Sequence, residues 1–231
     1  MSSTLLEPPL HGNQGDRGLA EEAGAECRTS RPLGPTVAIS REAGARGETI
    51  ARRVGRKLGW DVLTREHLEY LATNETQRES IRADVPEEAR EWLESQAGRL
   101  RREGVSLFDD QPPPVSQVML SLAARGNLVF VGRGAGHLLP RESTLHVRVV
   151  APRENRVGYM AQYLRLPRDE AAEQVRRRDE MRIDYIAQNY QRRDDEPSDF
   201  DLLVNSAELG EELAADLIVL ALRAKQKALA E

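Results

Sequence analysis

The sequence predicts an α/β protein: a doubly wound, five-stranded parallel sheet with helices on both faces. Three observations lead there. Short apolar or β-branched runs alternate with segments that carry apolar residues at helical spacing. The run Leu128-Val129-Phe130-Val131 is continuously apolar, as a strand buried on both faces requires. Glycine-bearing turns follow this run and the earlier run Thr36 to Ser40, and ligands of such sheets gather at the carboxyl ends of strands.

Each element follows in order. Residues 1 to about 34 hold Pro8-Pro9, scattered glycines and mixed charges without an apolar period, so a disordered tail is expected there. A single domain then spans 35–231. Thr36 to Ser40 forms the first strand, and Ile50, Val54 and Leu58 mark a helix over 48–58 that Gly59 stops. Trp60 to Leu63 forms a second strand, and Thr64 caps a helix running to Ala72. Residues 74–104 are strongly charged with sparse apolar positions (Ile81, Val85, Trp92, Leu93, Leu100), which predicts exposed helices, an insert of about 74–114 on the acceptor side. Pro112-Pro113-Pro114 punctuates the chain before an apolar helix over 115–124. Leu128 to Val131 and Leu145 to Val150 are further strands. Helices follow over about 153–163 and 168–190, with a lid region over about 165–192. Leu202 to Val204 forms the last strand and Leu213 to Leu229 the closing helix.

Composition narrows the function classes. With 39% hydrophobic, 31% charged and only 4% aromatic residues, the chain reads as soluble, with a core of Leu, Val, Ile and Ala. Cys27 is the one cysteine, so neither an internal disulfide nor a Cys/His zinc site is expected. No apolar run approaches the roughly 20 residues that span a bilayer, and the N-terminus lacks a signal-peptide pattern. A cytoplasmic protein with no membrane partner is the expectation. Net charge is −5 against 33 Lys+Arg, which argues against a nucleic-acid binder. The cations are mostly arginine, whose planar fork suits phosphate. For composition alone, high-GC codon usage is the better explanation of that bias, so position has to discriminate.

Three clusters carry candidate chemistry. The first is the turn Ser40-Arg41-Glu42-Ala43-Gly44-Ala45-Arg46-Gly47-Glu48-Thr49 between strand and helix. Such a turn points backbone N–H groups inward at a positive helix end, and phosphate is the anion that fits. Thr49 is placed to ligate magnesium. The standard motif G-x-x-x-x-G-K-[ST] is absent: with Thr49 in its last slot, Glu48 replaces the lysine and Glu42 the first glycine. A carboxylate aimed at phosphates would be repelled, so Glu48 should point away, leaving Arg41 or Arg46 as the cation. The plainer alternative is an ordinary helix-start turn. The second cluster is Gly132-Arg133-Gly134-Ala135-Gly136-His137, where an arginine emerges directly from a buried strand into the ligand crevice. A dinucleotide motif is the rival, but its third glycine is displaced. The third is Arg176-Arg177-Arg178-Asp179-Glu180-Met181-Arg182. On a helix Arg178 and Arg182 share a face, able to clamp a transferring phosphoryl group, although a solvated charged helix explains the same run.

Taken in order, these segments resemble the cytidylate kinase-like family, a nucleoside monophosphate kinase branch of the P-loop kinases. The resemblance rests on Ile39-Ser40-Arg41 with Gly44 and Gly47, Ile50-Ala51, Leu58-Gly59 and Val131 to Gly136. It continues through Ala151-Pro152-Arg153-Glu154 with Arg156, Arg178-Asp179 with Arg182, and Asp201 to Ser206. It implies a P-loop kinase fold, ATP with magnesium as donor and a nucleoside monophosphate such as CMP as acceptor. Gly132 and Arg133 would bind the acceptor phosphate, and Arg178, Asp179 and Arg182 would belong to the lid over the donor phosphates. The family's glycine-rich loop has Ala45 and Arg46 here, and Thr64 stands where an acidic residue often follows the second strand. A kinase is the expected function. A non-catalytic nucleotide sensor on the same fold is the alternative, because the lysine is missing. Nothing in the sequence indicates an oligomeric state.

Overall fold

The computed structural model describes residues 30–105, 115–193 and 196–229. Most of the expected tail and the triple proline therefore lie outside the described residues. Just ahead of the first strand, the Leu33 amide donates to the Ala124 carbonyl at 3.0 Å.

Strands β1 (Thr36–Arg41), β2 (Asp61–Leu63), β3 (Leu128–Val131), β4 (Thr144–Val150) and β5 (Leu202–Asn205) form one sheet in the order β2-β3-β1-β4-β5. Every pairing is parallel, with Ile39 registered against Val131 on one side and Val147 on the other. Side chains alternate faces along a strand, which sorts the core into two layers. Val37, Ile39, Val129, Val131 and Val147 meet α1 (Gly47–Leu58) and α9 (Ser206–Ala228). Ala38 and Phe130 face the opposite layer, built from α2 (Arg65–Thr73), α3 (Glu75–Ala83), α4 (Glu87–Arg102), α5 (Val115–Arg125) and α6 (Ala135–Leu138). Ile50 and Val54 of α1 are fully buried, each contributing about 1.5–3 kcal/mol of transfer free energy.

A third, smaller core joins α7 (Arg153–Leu164) to α8 (Arg168–Tyr190) through Val157, Met160, Ala171 and Val175. This helical hairpin stands at the carboxyl end of the sheet, where the expected lid lies. On the opposite side of β4, Asp201 accepts the His146 backbone N–H at 2.8 Å and the Lys225 ammonium at 2.5 Å, tying β4, β5 and α9 together. These bonds outweigh the upward push of burial and hold the Asp201 carboxyl below its ordinary range.

Three sequence expectations change. The charged insert does not stand off as exposed helices: Ile81, Val85, Trp92 and Leu100 are buried with α5 in the main core. On α4 the buried Ala89, Trp92 and Leu100 recur at one and two helical turns and share a side, so charge faces water while the core is still served. The last helix begins at Ser206 rather than Leu213, because the Asn205 side chain caps it by accepting the Ala207 N–H at 3.1 Å. Its first turn is set off by Gly210, which has non-helical torsions. The second glycine turn contains a short helix, α6, that the sequence pattern does not predict.

The connections from β1 to β2 and from β3 to β4 run to opposite sides of β1. The crevice beyond β1 and β3 is thus the topological switch point at which open α/β sheets bind ligands.

Candidate functional site

The first turn leaves β1 at Arg41 and enters α1 at Gly47. Gly44 makes it possible: φ is +83° there, and a Cβ would lie 2.6 Å from the Arg156 carbonyl oxygen. Arg156 organises the turn from α7. Its guanidinium donates to the Ala43 carbonyl at 3.2 Å, the Ala151 carbonyl at 3.0 Å and Asp179 Oδ2 at 2.6 Å, and lies 3.3 Å from Glu42. Asp179 in turn accepts the Ala43 N–H at 2.8 Å and the Arg182 guanidinium at 2.6 Å. One amide of the turn is therefore held by an internal carboxylate. Burial pushes that carboxyl up, but the Ala43 amide, Arg182 and Arg156 outweigh it and hold it below its usual range. Ala45 is fully buried, with its carbonyl accepting from Ser206 Oγ at 2.8 Å. Ser40 Oγ accepts from Arg148 at 2.9 Å.

At the helix start, Arg46 adopts a left-handed conformation (φ 58°) and supplies no side-chain cap. An uncapped first turn keeps its amides available for an anion. Glu48 pairs along the helix with Arg52 at 2.6 Å, which offsets the carboxylate's charge beside the turn.

The second turn follows β3. Gly132 has φ +80° and faces the Arg41 guanidinium, so only a residue without a side chain fits. Arg133 is also left-handed, and its carbonyl accepts from the Tyr190 hydroxyl at 2.8 Å. Its side chain is only 14% exposed, ion-pairs with Glu69 and lies 4.6 Å over the Tyr185 ring. Its Nε is buried with no hydrogen-bond partner, a donor that an incoming anion would satisfy.

Both turns and the α7–α8 hairpin surround a cleft of about 750 Å³. Of the sequence-predicted residues, Arg41, Gly44, Arg46, Gly47, Glu48, Thr49, Arg133, Arg178 and Arg182 line it. Ser40 and Gly132 line a smaller adjoining hollow that shares Arg133 and Arg182. Ala45 and Asp179 are absent from both linings and act from behind the turn. Sequence reasoning missed Arg52, Arg65, Glu66, Tyr159, Tyr163, Gln174, Arg177 and Tyr185, which also line the cleft. Only Arg177 lay within a recognised cluster; the others are ordinary helix residues until the fold assembles them. Glu66 brings a carboxylate to the cleft that the first turn also lines. Burial pushes its carboxyl up, yet its own amide, the Thr64 hydroxyl (2.9 Å) and nearby Arg65 hold it below the ordinary range.

Eight arginines and three glutamates line the cleft, whereas the chain as a whole carries a charge of −5. Such a concentration of guanidinium groups in an acidic protein fits a polyanion, and the residues present fit the phosphates of a nucleotide. Among the described residues no group of three or more His, Cys, Asp or Glu is arranged to hold a metal. Among the described residues no helix is long and apolar enough to cross a membrane.

Comparison with solved structures finds an uncharacterised protein from Eubacterium ventriosum with a TM-score of 0.58 at 14% identity, covering 82% of this chain and 99% of that one. This likeness establishes the fold alone. TT1252 from Thermus thermophilus follows at a TM-score of 0.45 and 20% identity, over 82% of this chain and 96% of that one. Shikimate kinase from Bacteroides thetaiotaomicron gives 0.42 and 13% identity, over 85% and 99%. No curated protein sequence matches. The profile of the cytidylate kinase-like family matches residues 36–208, well over half of the 231 residues, from the first strand through the final helix cap. The chain belongs to the cytidylate kinase-like family.

Proposed function

We propose that the protein transfers a phosphoryl group from ATP to a nucleoside monophosphate, with a CMP-like acceptor the first to test. The observation that carries the reading is the convergence of the uncapped α1 N-terminus, Arg133 and the hairpin arginines Arg178 and Arg182 on one cleft. ATP with magnesium would supply the transferable phosphoryl group. Phosphoryl transfer asks little covalent chemistry of the protein and depends on positioning and charge. In this scheme Gly44 to Thr49 cradle the donor phosphates with backbone N–H groups, with Ala45 buttressing the turn. Thr49 offers its hydroxyl to the metal. Arg133 grips the acceptor phosphate from the floor of the cleft, with Gly132 giving it room. Arg178 and Arg182 neutralise charge as it develops, while Asp179 fixes Arg182 and the turn relative to each other. The α7–α8 hairpin excludes water.

A second reading, nucleotide binding without turnover, is favoured by two observations. The turn has no lysine, with Glu48 in that position, and the Ala43 amide is already bonded to Asp179. A panel of nucleoside monophosphates with magnesium-ATP, following ADP formation, separates the two. Acceptor-dependent ADP release supports the kinase. Saturable ATP binding without ADP release for any acceptor supports the sensor and removes the kinase reading.

A further inference from the structure

The chain is poor in aromatic residues, at 4%, yet three of its five tyrosines (Tyr159, Tyr163 and Tyr185) line the large cleft. Tyr185 is engaged with Arg133 at the floor. The other two stand on α7, one turn apart, with ring centroids 5.8 Å apart and planes 13° from parallel. On the phosphate-turn side, the Arg46 guanidinium lies 4.9 Å from the centre of the Tyr159 ring. Arg46 is steadied by Glu211 of α9 at 3.6 Å. Three planar groups, Arg46, Tyr159 and Tyr163, thus follow one another at 4.9 and 5.8 Å from the start of α1 to the mouth of the cleft. Tyr163 is 67% exposed there.

A pair of tyrosines four residues apart on a helix has an ordinary role in helix stability. That role leaves two facts without an account. A helix-surface pair needs no guanidinium from another element stacked on its inner ring, nor a place on the wall of a cavity. Gln174 of α8 lines the same cleft and brings a carboxamide, a paired donor and acceptor of the kind that reads a base edge.

We infer that the Arg46–Tyr159–Tyr163 series is a nucleobase platform: the base of the bound nucleotide stacks on Tyr163 and extends the series while its phosphates reach the α1 N-terminus. The inference rests on the phosphate-binding reading of the cleft and adds to it which side the base occupies. Stacking on an aromatic face serves any base, because every base has a π-face. The platform therefore confers preference for nucleotides over inorganic polyphosphates rather than for one base over another.

Calorimetric titration of the full chain with magnesium-ATP and with magnesium-tripolyphosphate tests this. Wild-type protein should bind ATP more tightly than tripolyphosphate. Tyr163→Leu should weaken ATP binding roughly tenfold, the scale of one lost base–aromatic stack, and leave tripolyphosphate binding within about twofold. Tyr163→Phe should bind ATP like wild type. The exposure of Tyr163 makes misfolding an unsuitable explanation of the loss, and an unchanged tripolyphosphate isotherm provides the internal check. Equal affinity of wild type for the two ligands, or an equal loss for both in Tyr163→Leu, overturns the platform and leaves phosphate binding standing. If wild type binds neither ligand, the platform and the phosphate reading fall together.

Discussion

Replacing Asp179 with Asn tests the tether between the hairpin and the phosphate turn. The carboxylate accepts three hydrogen bonds, from the Ala43 amide (2.8 Å), Arg156 (2.6 Å) and Arg182 (2.6 Å). The side chains of Arg156 and Arg182 are only 11% and 16% exposed. Asn retains an acceptor for the amide but sets an NH2 group against the Arg156 guanidinium. Removing one partner of a buried ion pair costs about 3–5 kcal/mol when the other charge is left uncompensated. Here Glu42 still lies 3.3 Å from Arg156, and the site is partly open, so the expected loss is about 2 kcal/mol. For a domain of this size that corresponds to a fall in Tm of about 4–8 °C, readable by circular dichroism at 222 nm. The pH dependence has a defined sign. A carboxyl whose folded-state pKa is depressed contributes stability that is present above its unfolded pKa and is lost as pH falls through the folded one. Asp179→Asn should therefore lose most at neutral pH, begin to approach wild type only below about pH 4, the ordinary aspartate value, and converge on it only once the depressed folded-state carboxyl is itself protonated. A Tm within 1 °C of wild type at pH 7 refutes the tether, as does a deficit that persists undiminished in acid.

Two further outcomes follow from the same geometry. Arg133→Ala should raise the acceptor KM about 10- to 100-fold, the scale of one or two charge-assisted hydrogen bonds to phosphate, with ATP affinity nearly unchanged; equal defects for both substrates would count against its role. His146 is 2% exposed with both ring nitrogens unpartnered; burial, only partly opposed by Asp201, pulls its pKa from 6.5 to about 4. Because the folded pKa is depressed, wild type should lose stability as pH falls from about 6.5 to 4, by about 3 kcal/mol in total. In His146→Phe that limb of the denaturant-midpoint profile should be flat, and an unaltered limb would show that another group is responsible.

The alternation of apolar runs with amphipathic segments was legible because periodicity is a local property. Leu128 to Val131 could only be a strand buried on both faces, and Ile50, Val54 and Leu58 only a helix face against it. The two glycine turns were legible for a similar reason: a residue with φ near +80°, as at Gly44 and Gly132, has to be one that lacks a side chain. The resemblance carried by these short segments placed the chain in the family to which it belongs.

What lay beyond the sequence was contact between elements distant along the chain. Asp179 is 136 residues from Ala43, and its charge gave no sign that it would hold a turn rather than face a ligand. The apolar residues of the 74–104 insert looked too few to bury, because their value depended on α5 arriving to cover them. Tyr159 and Tyr163 carry no signal in the sequence, and only the fold brings Arg46 of a distant turn against Tyr159. Local propensity and pattern fix which segments are strands, helices and turns. The charge and shape of a cleft arise from the long-range packing that brings those segments together, so only the tertiary structure decided that eight arginines of an acidic chain would face one cavity.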